Sequence, residues 1–354
     1  MDPVVADAVT TYRSPLLDLP GACPAPEGSP DEGVAWHYGD PHGEQRLLAS
    51  GEGWVDLSHR GVLAVTGQDR LSWLHSLTTQ HVESLQPGAS ALDLVLDPHG
   101  HVEHELHLVD DGTTTWISVE PSSTEPLRDY LDRMRFMLRV EVSDRSDEYA
   151  VVAEPLADRH PALPTYVVPR EFGVLVAGDA ASEKYVPLRP DVLVGREVLV
   201  PREQLAAYVE GRRGAGTWAW EALRVAAGVP RFGLDTDHRT IPQELGWVPS
   251  AVHLQKGCYR GQETVARVHN LGRPPRRLVQ LHLDGSAART PATGDPVLAD
   301  GREVGRLTSV ALHHELGPVA LAVIKRSVPL DAALLVGPND AGLVAATQET
   351  VVTA

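Results

Sequence analysis

Lys256-Gly257-Cys258-Tyr259-Arg260-Gly261-Gln262-Glu263 is the stretch whose reading decides how the other 346 of the 354 residues are understood. Extended to Arg277, it holds Lys256, Arg260, Arg267, Arg273, Arg276 and Arg277 against the single acid Glu263, a local charge of +5 on a chain whose formal charge is -17. A basic island on an acidic molecule draws in a small anionic ligand, while the rest of the surface repels nucleic acid. No nucleic-acid partner is expected.

The chemistry of the island is a single thiol. Cys258 stands two residues from Lys256 and two from Arg260, and a cation close to a thiol favours thiolate over thiol. A unit charge about 5 Å away, at an effective dielectric of about 20, is worth roughly 3 kcal/mol before solvent screening. Gly257 and Gly261 let the backbone turn tightly around a thiol presented on a loop. The competing reading is a buried cysteine acting as a small apolar residue.

The same eight residues resemble the signature of the YgfZ-type folate-binding proteins, relatives of the glycine-cleavage T protein that are implied in iron-sulfur cluster assembly or repair. The wider likeness runs from about Val55 to about Val328. It implies an α+β, T-protein-like three-domain ring, with two mixed α/β domains of largely antiparallel sheets and a C-terminal β-barrel. It also implies tetrahydrofolate or a one-carbon folate derivative as cofactor, and iron-sulfur client proteins or assembly factors as partners.

Composition sets outer bounds. A chain of 354 residues suits two or three domains rather than one core. Cys23 and Cys258 are its only cysteines, which excludes a disulfide framework and favours a reducing, cytoplasmic setting. Two thiols also fall short of the four that usually hold an iron-sulfur cluster, so cluster work would need ligands from a partner. The start lacks the order of a secretory signal, and no run of about 18 apolar residues suggests a membrane span.

In chain order, residues 1–50 read as an extended N-terminal strap, because Pro15, Pro20, Pro24, Pro26 and Pro30 crowd its middle. Residues 51–145 read as a first α+β domain, opening near Trp54. Gly61 to Gly67 forms a strand, Asp69 to Leu77 a helix, and Ala91 to Leu96, Val102 to Val109 and Thr115 to Val119 further strands. A second helix spans Glu125 to Phe136. Within the hairpin, His101, Glu103, Glu105 and His107 share one strand face, a set that alternation on a polar face explains as well as metal binding does. No stably bound metal is expected.

Residues 146–272 read as a second α+β domain carrying the Lys256–Glu263 motif. Its strongest helix, Trp218 to Ala227, is ended by Gly228 and Pro230. This helix resembles the family's Trp-x-x-Leu-Arg-x-x-x-Gly-x-Pro segment, which lines the folate cavity. The likeness implies Trp220 and Arg224 as folate contacts, with Arg60 at the family's first-strand contact position. Core packing for Trp220 and a salt bridge for Arg224 are the structural alternatives. Trp220 and Cys258 are expected to meet across one cavity. Residues 273–354 follow a stiff Pro274-Pro275 linker and read as the β-barrel.

Two functions follow from the resemblance. One is an accessory protein that binds tetrahydrofolate and uses Cys258, as transient cluster ligand, redox group or carbon acceptor, in support of iron-sulfur enzymes. The other is a folate-dependent aminomethyltransferase of the T-protein type, which needs a carboxylate beside the folate nitrogens. Where the T protein has an Asp-Asp pair this chain has His104-Glu105, and Ala226 stands at a position where the family commonly has Glu. Both departures weigh against the transferase.

Overall fold

The computed structural model describes residues 12–155, 162–169, 173–176, 184–187, 195–248, 250–271, 273–287, 289–338 and 342–352. The apolar run Val174 to Ala177 predicts a strand, and of it Ala177 lies outside the described residues. The first unit is an antiparallel sheet in the spatial order Ser90–Leu96, Val102–Asp110, Thr114–Val119, Gly61–Thr66, Glu141–Asp144. Val102–Asp110 alternates in burial along most of its length, while Gly61–Thr66, Ser90–Leu96 and Thr114–Val119 are buried nearly throughout because both faces of the sheet are covered. Leu63, Val65, Leu106 and Leu108 are buried under α2 (Arg70–Leu77) and α3 (Thr124–Met134), the helices that follow α1 (Pro41–Ala49). Glu103, Glu105 and His107 occupy the other face of Val102–Asp110, as the alternation requires.

The second sheet runs Thr165–Val167, Gly195–Pro201, Tyr149–Pro155, Trp54–Asp56, Gly214–Ala215, with only the last pair parallel. Trp54–Asp56, expected at the opening of the first unit, therefore belongs to the second, where Val55 pairs with Ala153. All three of its residues are buried, which suits an inner strand better than an edge. The chain then crosses to the first sheet through Leu57-Ser58-His59-Arg60. After α4 (Leu205–Val209), helix α5 (Thr217–Ala226) is buried nearly all round, and Gly228 ends it at a φ of 69°. Helix α6 (Gln262–Leu271) follows the cysteine loop, and a closed barrel of six strands completes the fold around Val279, Leu281, Leu307 and Ile324. One shared core joins all three units: Leu92 and Leu94 of the first sheet, Tyr166 of the second, and Leu278 and Leu321 of the barrel meet at Trp247 and Tyr259.

The N-terminal fifty residues are not extended throughout. Pro15–Asp18 forms a short 3-10 turn and Pro41–Ala49 is helical. Asp40 Oδ1 accepts the N–H of Gly43 at 2.9 Å and Pro41 occupies the first turn, a start signal that the proline count of the preceding segment masks.

The cysteine loop is fixed by backbone contact. Gly261 has a φ of 81°, and a Cβ there would stand 2.6 Å from the carbonyl oxygen of Asp97 and 2.9 Å from Cα of Gly100. The hairpin turn Asp97–Gly100 and the start of α6 thus meet main chain to main chain, which only glycine permits. Gly261→Ala is expected to cost about 2–4 kcal/mol in urea unfolding. Gly257→Ala, where nothing lies within 4 Å, should cost under about 0.5 kcal/mol. Equal costs at the two glycines would contradict this docking.

Candidate functional site

Lys256, Tyr259 and Arg260 around Cys258 are pinned, and the thiol itself is exposed. Lys256 is buried, and its Nζ donates to the carbonyl oxygens of His75 at 2.6 Å, Thr78 at 2.6 Å and Gln80 at 2.7 Å. Two of these carbonyls lie at the C-terminal end of α2, where the helix dipole favours a cation. Burial pushes the ammonium down to about 8, against the charges of Asp93 and Glu83. Asp93 is itself buried, which pushes its carboxyl up to about 6 although it accepts the N–H groups of Gln80 and Leu94.

Tyr259 is buried in the shared core, which drives its hydroxyl up to about 12, and the Lys256 ammonium stands 5.4 Å from its ring centroid. Arg260 Nη1 donates to Glu103 Oε2 at 2.9 Å. Gln262 Nε2 donates to the carbonyls of Lys256 and Gly257, while Glu263 and Arg267 project outward from α6. The two cations expected to act on the thiol are therefore engaged elsewhere: Lys256 faces main-chain oxygens, and Arg260 faces a carboxylate.

Beside the Lys256 anchor, the rings of His75 and His81 lie 4.7 Å apart and those of His81 and His253 5.3 Å apart. Among the described residues no group of three or more His, Cys, Asp or Glu is arranged to hold a metal ion. The hairpin histidines go separate ways. His101 bonds Asp97 at 2.9 Å, His104 is buried and held at about 4, and His107 turns to the centre of the molecule.

That centre is a cavity of about 50 Å³. Arg60, Trp220 and Arg224 all line it, together with Glu105, His107 and Glu197. Cys258 does not, so the expected meeting of Trp220 and Cys258 does not occur. The arginines are held by internal partners. Arg60 reaches Glu197 at 2.6 Å and Glu120 at 3.0 Å. Arg224 binds Glu221 at 2.6 Å, Asp235 at 2.8 Å and Ser309 Oγ at 2.8 Å. Trp220 packs in the core between sheet and helix and turns one ring edge toward Gly195.

His107 Nδ1 lies 2.9 Å from Glu197 Oε2 and the ring stacks on Tyr166 at 4.3 Å. Burial alone would lower the imidazole, but the charge of Glu197 and hydrogen bonds to both glutamates outweigh it and raise His107 to about 9. Glu197 was not singled out in the sequence as a cavity lining, whereas Glu105 stands at the register of the T protein's carboxylate pair. Arg196-Glu197 inside an otherwise apolar strand was the available signal.

A second pocket of about 440 Å³ shares Glu120 with the cavity and lies under the N-terminal segment, between Ser29, His59 and Phe232. Arg231 lines the central cavity and bonds Glu120, which both spaces share, and Asp31 at 2.8 Å each. Pockets that enclose a small organic ligand typically measure about 300–1,000 Å³. The central cavity, at about 50 Å³, falls below that range, and the pocket beside it falls within it.

The arrangement is that of a sheet–sheet–barrel protein closed around a buried ionic centre. The family model for the glycine cleavage T-protein C-terminal barrel domain matches residues 276–348. A putative chloroplastic transferase of Arabidopsis thaliana is 28% identical over 315 residues, covering 82% of this chain and 69% of that protein. An aminomethyltransferase of Nostoc sp. is 28% identical over 304 residues, covering 79% of each. The crystal structure of glycine cleavage system aminomethyltransferase T from Bartonella henselae superposes with a TM-score of 0.74 at 17% identity, covering 94% of both chains. The fold is thus that of the T proteins, and residues 276–348 match the barrel domain of the glycine cleavage T proteins.

The His107–Glu197 pair has a pH signature. A histidine whose pKa folding raises stabilises fully below its unfolded value of 6.5 and loses that contribution as pH rises through about 9. The stability advantage of the native chain over His107→Gln should therefore shrink by a few kcal/mol between about pH 6.5 and about pH 9.5 in urea titrations. A difference that stays constant over that range would mean His107 is neutral in the fold.

Proposed function

We propose that this chain is a tetrahydrofolate-binding accessory protein that supports assembly or repair of iron-sulfur enzymes, with Cys258 as its working thiol. The observation that carries the reading is the contrast inside the motif. Lys256 and Tyr259 are buried and Gly261 is locked against the hairpin, yet Gly257 and Cys258 between them are exposed. A core cysteine would be the reverse. Such a loop presents sulfur to a macromolecule in a fixed place. With Cys23 as the only other cysteine, cluster contact at Cys258 takes its remaining ligands from the partner.

For folate, the carboxylates of Glu105 and Glu197 supply acceptors and the Tyr166–His107 stack and Trp220 supply flat apolar surface. Folate supplies a carrier for one-carbon groups. The chain's own residues would bind and orient the ring, and Arg231 with Asp31 would have to part to admit it. Aminomethyl transfer is the second reading, favoured by relatives that carry that name and by a carboxylate, Glu105, at the cavity wall. The His at position 104 is buried and kept neutral near pH 7, so it offers no second carboxylate there.

Cys258→Ala should leave the unfolding midpoint and tetrahydrofolate affinity unchanged while removing the chain's ability to restore iron-sulfur enzyme activity in cells that lack it. Full restoration by the variant would sink the role of the thiol. In tryptophan fluorescence, tetrahydrofolate should quench the native chain and the Cys258 variant alike, and the Trp220→Phe variant less. No saturable binding at millimolar ligand would remove folate from the account, and turnover of an aminomethylated carrier protein would favour the transferase instead.

A further inference from the structure

His107 sits in the central cavity the way a ligand would. Its ring lies flat on that of Tyr166, with centroids 4.3 Å apart and planes 10° from parallel. Nδ1 is 2.9 Å from Glu197 Oε2, and Nε2 faces Glu105 Oε1 at 3.6 Å. A flat ring stacked on an aromatic face, with a nitrogen toward a carboxylate on either side, makes the contacts of a bound heterocycle.

The other contacts of these carboxylates belong to the fold. Glu197 Oε1 accepts from Arg60 Nη1 at 2.6 Å, and its Oε2 also accepts the Ser118 hydroxyl at 2.9 Å. Glu105 Oε2 accepts the N–H of Phe232 at 3.1 Å. With His107 in place each of the four oxygens already faces a nitrogen or hydroxyl. The space left beside them, about 50 Å³, has room for a few waters and not for an organic ring. Removing the imidazole opens an acceptor position on each glutamate and uncovers the face of Tyr166. Arg60 cannot make way as easily, because it also bridges to Glu120 at 3.0 Å. The His107 side chain keeps 17% of its surface accessible, against 3% for Glu197 and 7% for Arg60.

The charged and titratable groups around the ring come from several elements. Glu105 lies on its own strand, Glu197 on Gly195–Pro201, Tyr166 on Thr165–Val167 and Arg60 on the crossing segment, with Glu120, Arg224 and Arg231 elsewhere on the cavity wall. The two glutamates hold a proton on the imidazole up to about pH 9. Away from them the ring returns toward its ordinary value of 6.5 and gives that proton to solvent.

We propose that His107 is a built-in stand-in for the ligand, keeping the carboxylate site closed until a planar heterocycle with N–H donors on its edges displaces the imidazole from Tyr166 and both glutamates. That displacement rests on the reading of this cavity as the site for the folate ring, and it makes one side chain the gate on affinity there.

The test titrates tetrahydrofolate and its ring fragment 2-amino-4-hydroxypyrimidine into the native chain, His107→Ala and His107→Gln, by tryptophan fluorescence and calorimetry. Both ligands should bind His107→Ala at least tenfold more tightly than the native chain. Native binding of tetrahydrofolate should release one proton and tighten about tenfold per pH unit between about pH 7 and about pH 9, whereas the variants should release none and stay level. Should the alanine variant not fold, His107→Gln carries the comparison, because a neutral amide holds the carboxylates less strongly than an imidazolium does. Native affinity equal to or tighter than that of the variants, or native binding without proton release, overturns the stand-in while folate binding itself stands. If no form binds tetrahydrofolate yet His107→Ala takes the fragment more tightly than the native chain does, the folate reading fails and the stand-in holds. Binding of neither ligand by any form overturns both.

Discussion

The ionic knot around Arg231 is the constraint on which the arrangement of the molecule depends. One guanidinium ties Asp31 of the N-terminal segment, Glu120 at the end of the first sheet and Glu221 of α5. Arg60 extends the knot to Glu197 in the second sheet, and Arg224 extends it through Asp235 and Ser309 to the barrel. Burying so many charges carries a large desolvation cost, offset only if every partner is in place, so the knot forms when all units have assembled. It specifies one arrangement rather than adding stability in proportion to its ion pairs.

The thiol loop obeys the opposite logic. There the buried contacts are few and local: an ammonium on three carbonyls, a tyrosine in the shared core and a glycine against a glycine. Together they fix the loop without enclosing its tip. The two sites are linked by the polar face of Val102–Asp110, where Glu103 meets Arg260 of the loop and, further along, Glu105 and His107 reach the cavity. A rigid strand spans the gap that the sequence reading closed by placing Trp220 and Cys258 together.

Much of the fold was legible where packing imposes a period. Val102–Asp110 alternates, Gly61–Thr66 and Ser90–Leu96 are short apolar runs bounded by turns, and Trp218 to Ala227 reads as helix from its apolar content and its glycine stop. Helix α6 was hidden because Gly257, Gly261 and Gly272 frame Gln262–Leu271 like a loop, although Val265 alone of its early residues is deeply buried. Helix α1 was hidden by the prolines before it. The glycines around Cys258 suited a presented thiol but left a buried cysteine open, and the structure shows it exposed. The direction of its neighbouring cations was not legible, since spacing along the chain gives proximity and no orientation. The ion pairs of Arg60 with Glu120 and with Glu197 join residues far apart in the chain, and no local pattern names the partners.

The Lys256 anchor has an evolutionary corollary. Its three acceptors are main-chain oxygens of His75, Thr78 and Gln80, so every residue type supplies them equally. The side chains at those positions can drift without disturbing the lysine, and no compensating substitution is ever required. A position can therefore be held fixed by tertiary contact and still show no covarying partner anywhere in an alignment. For Lys256 the silence would reflect contact with backbone, and reading it as solvent exposure or as direct chemistry would be a mistake.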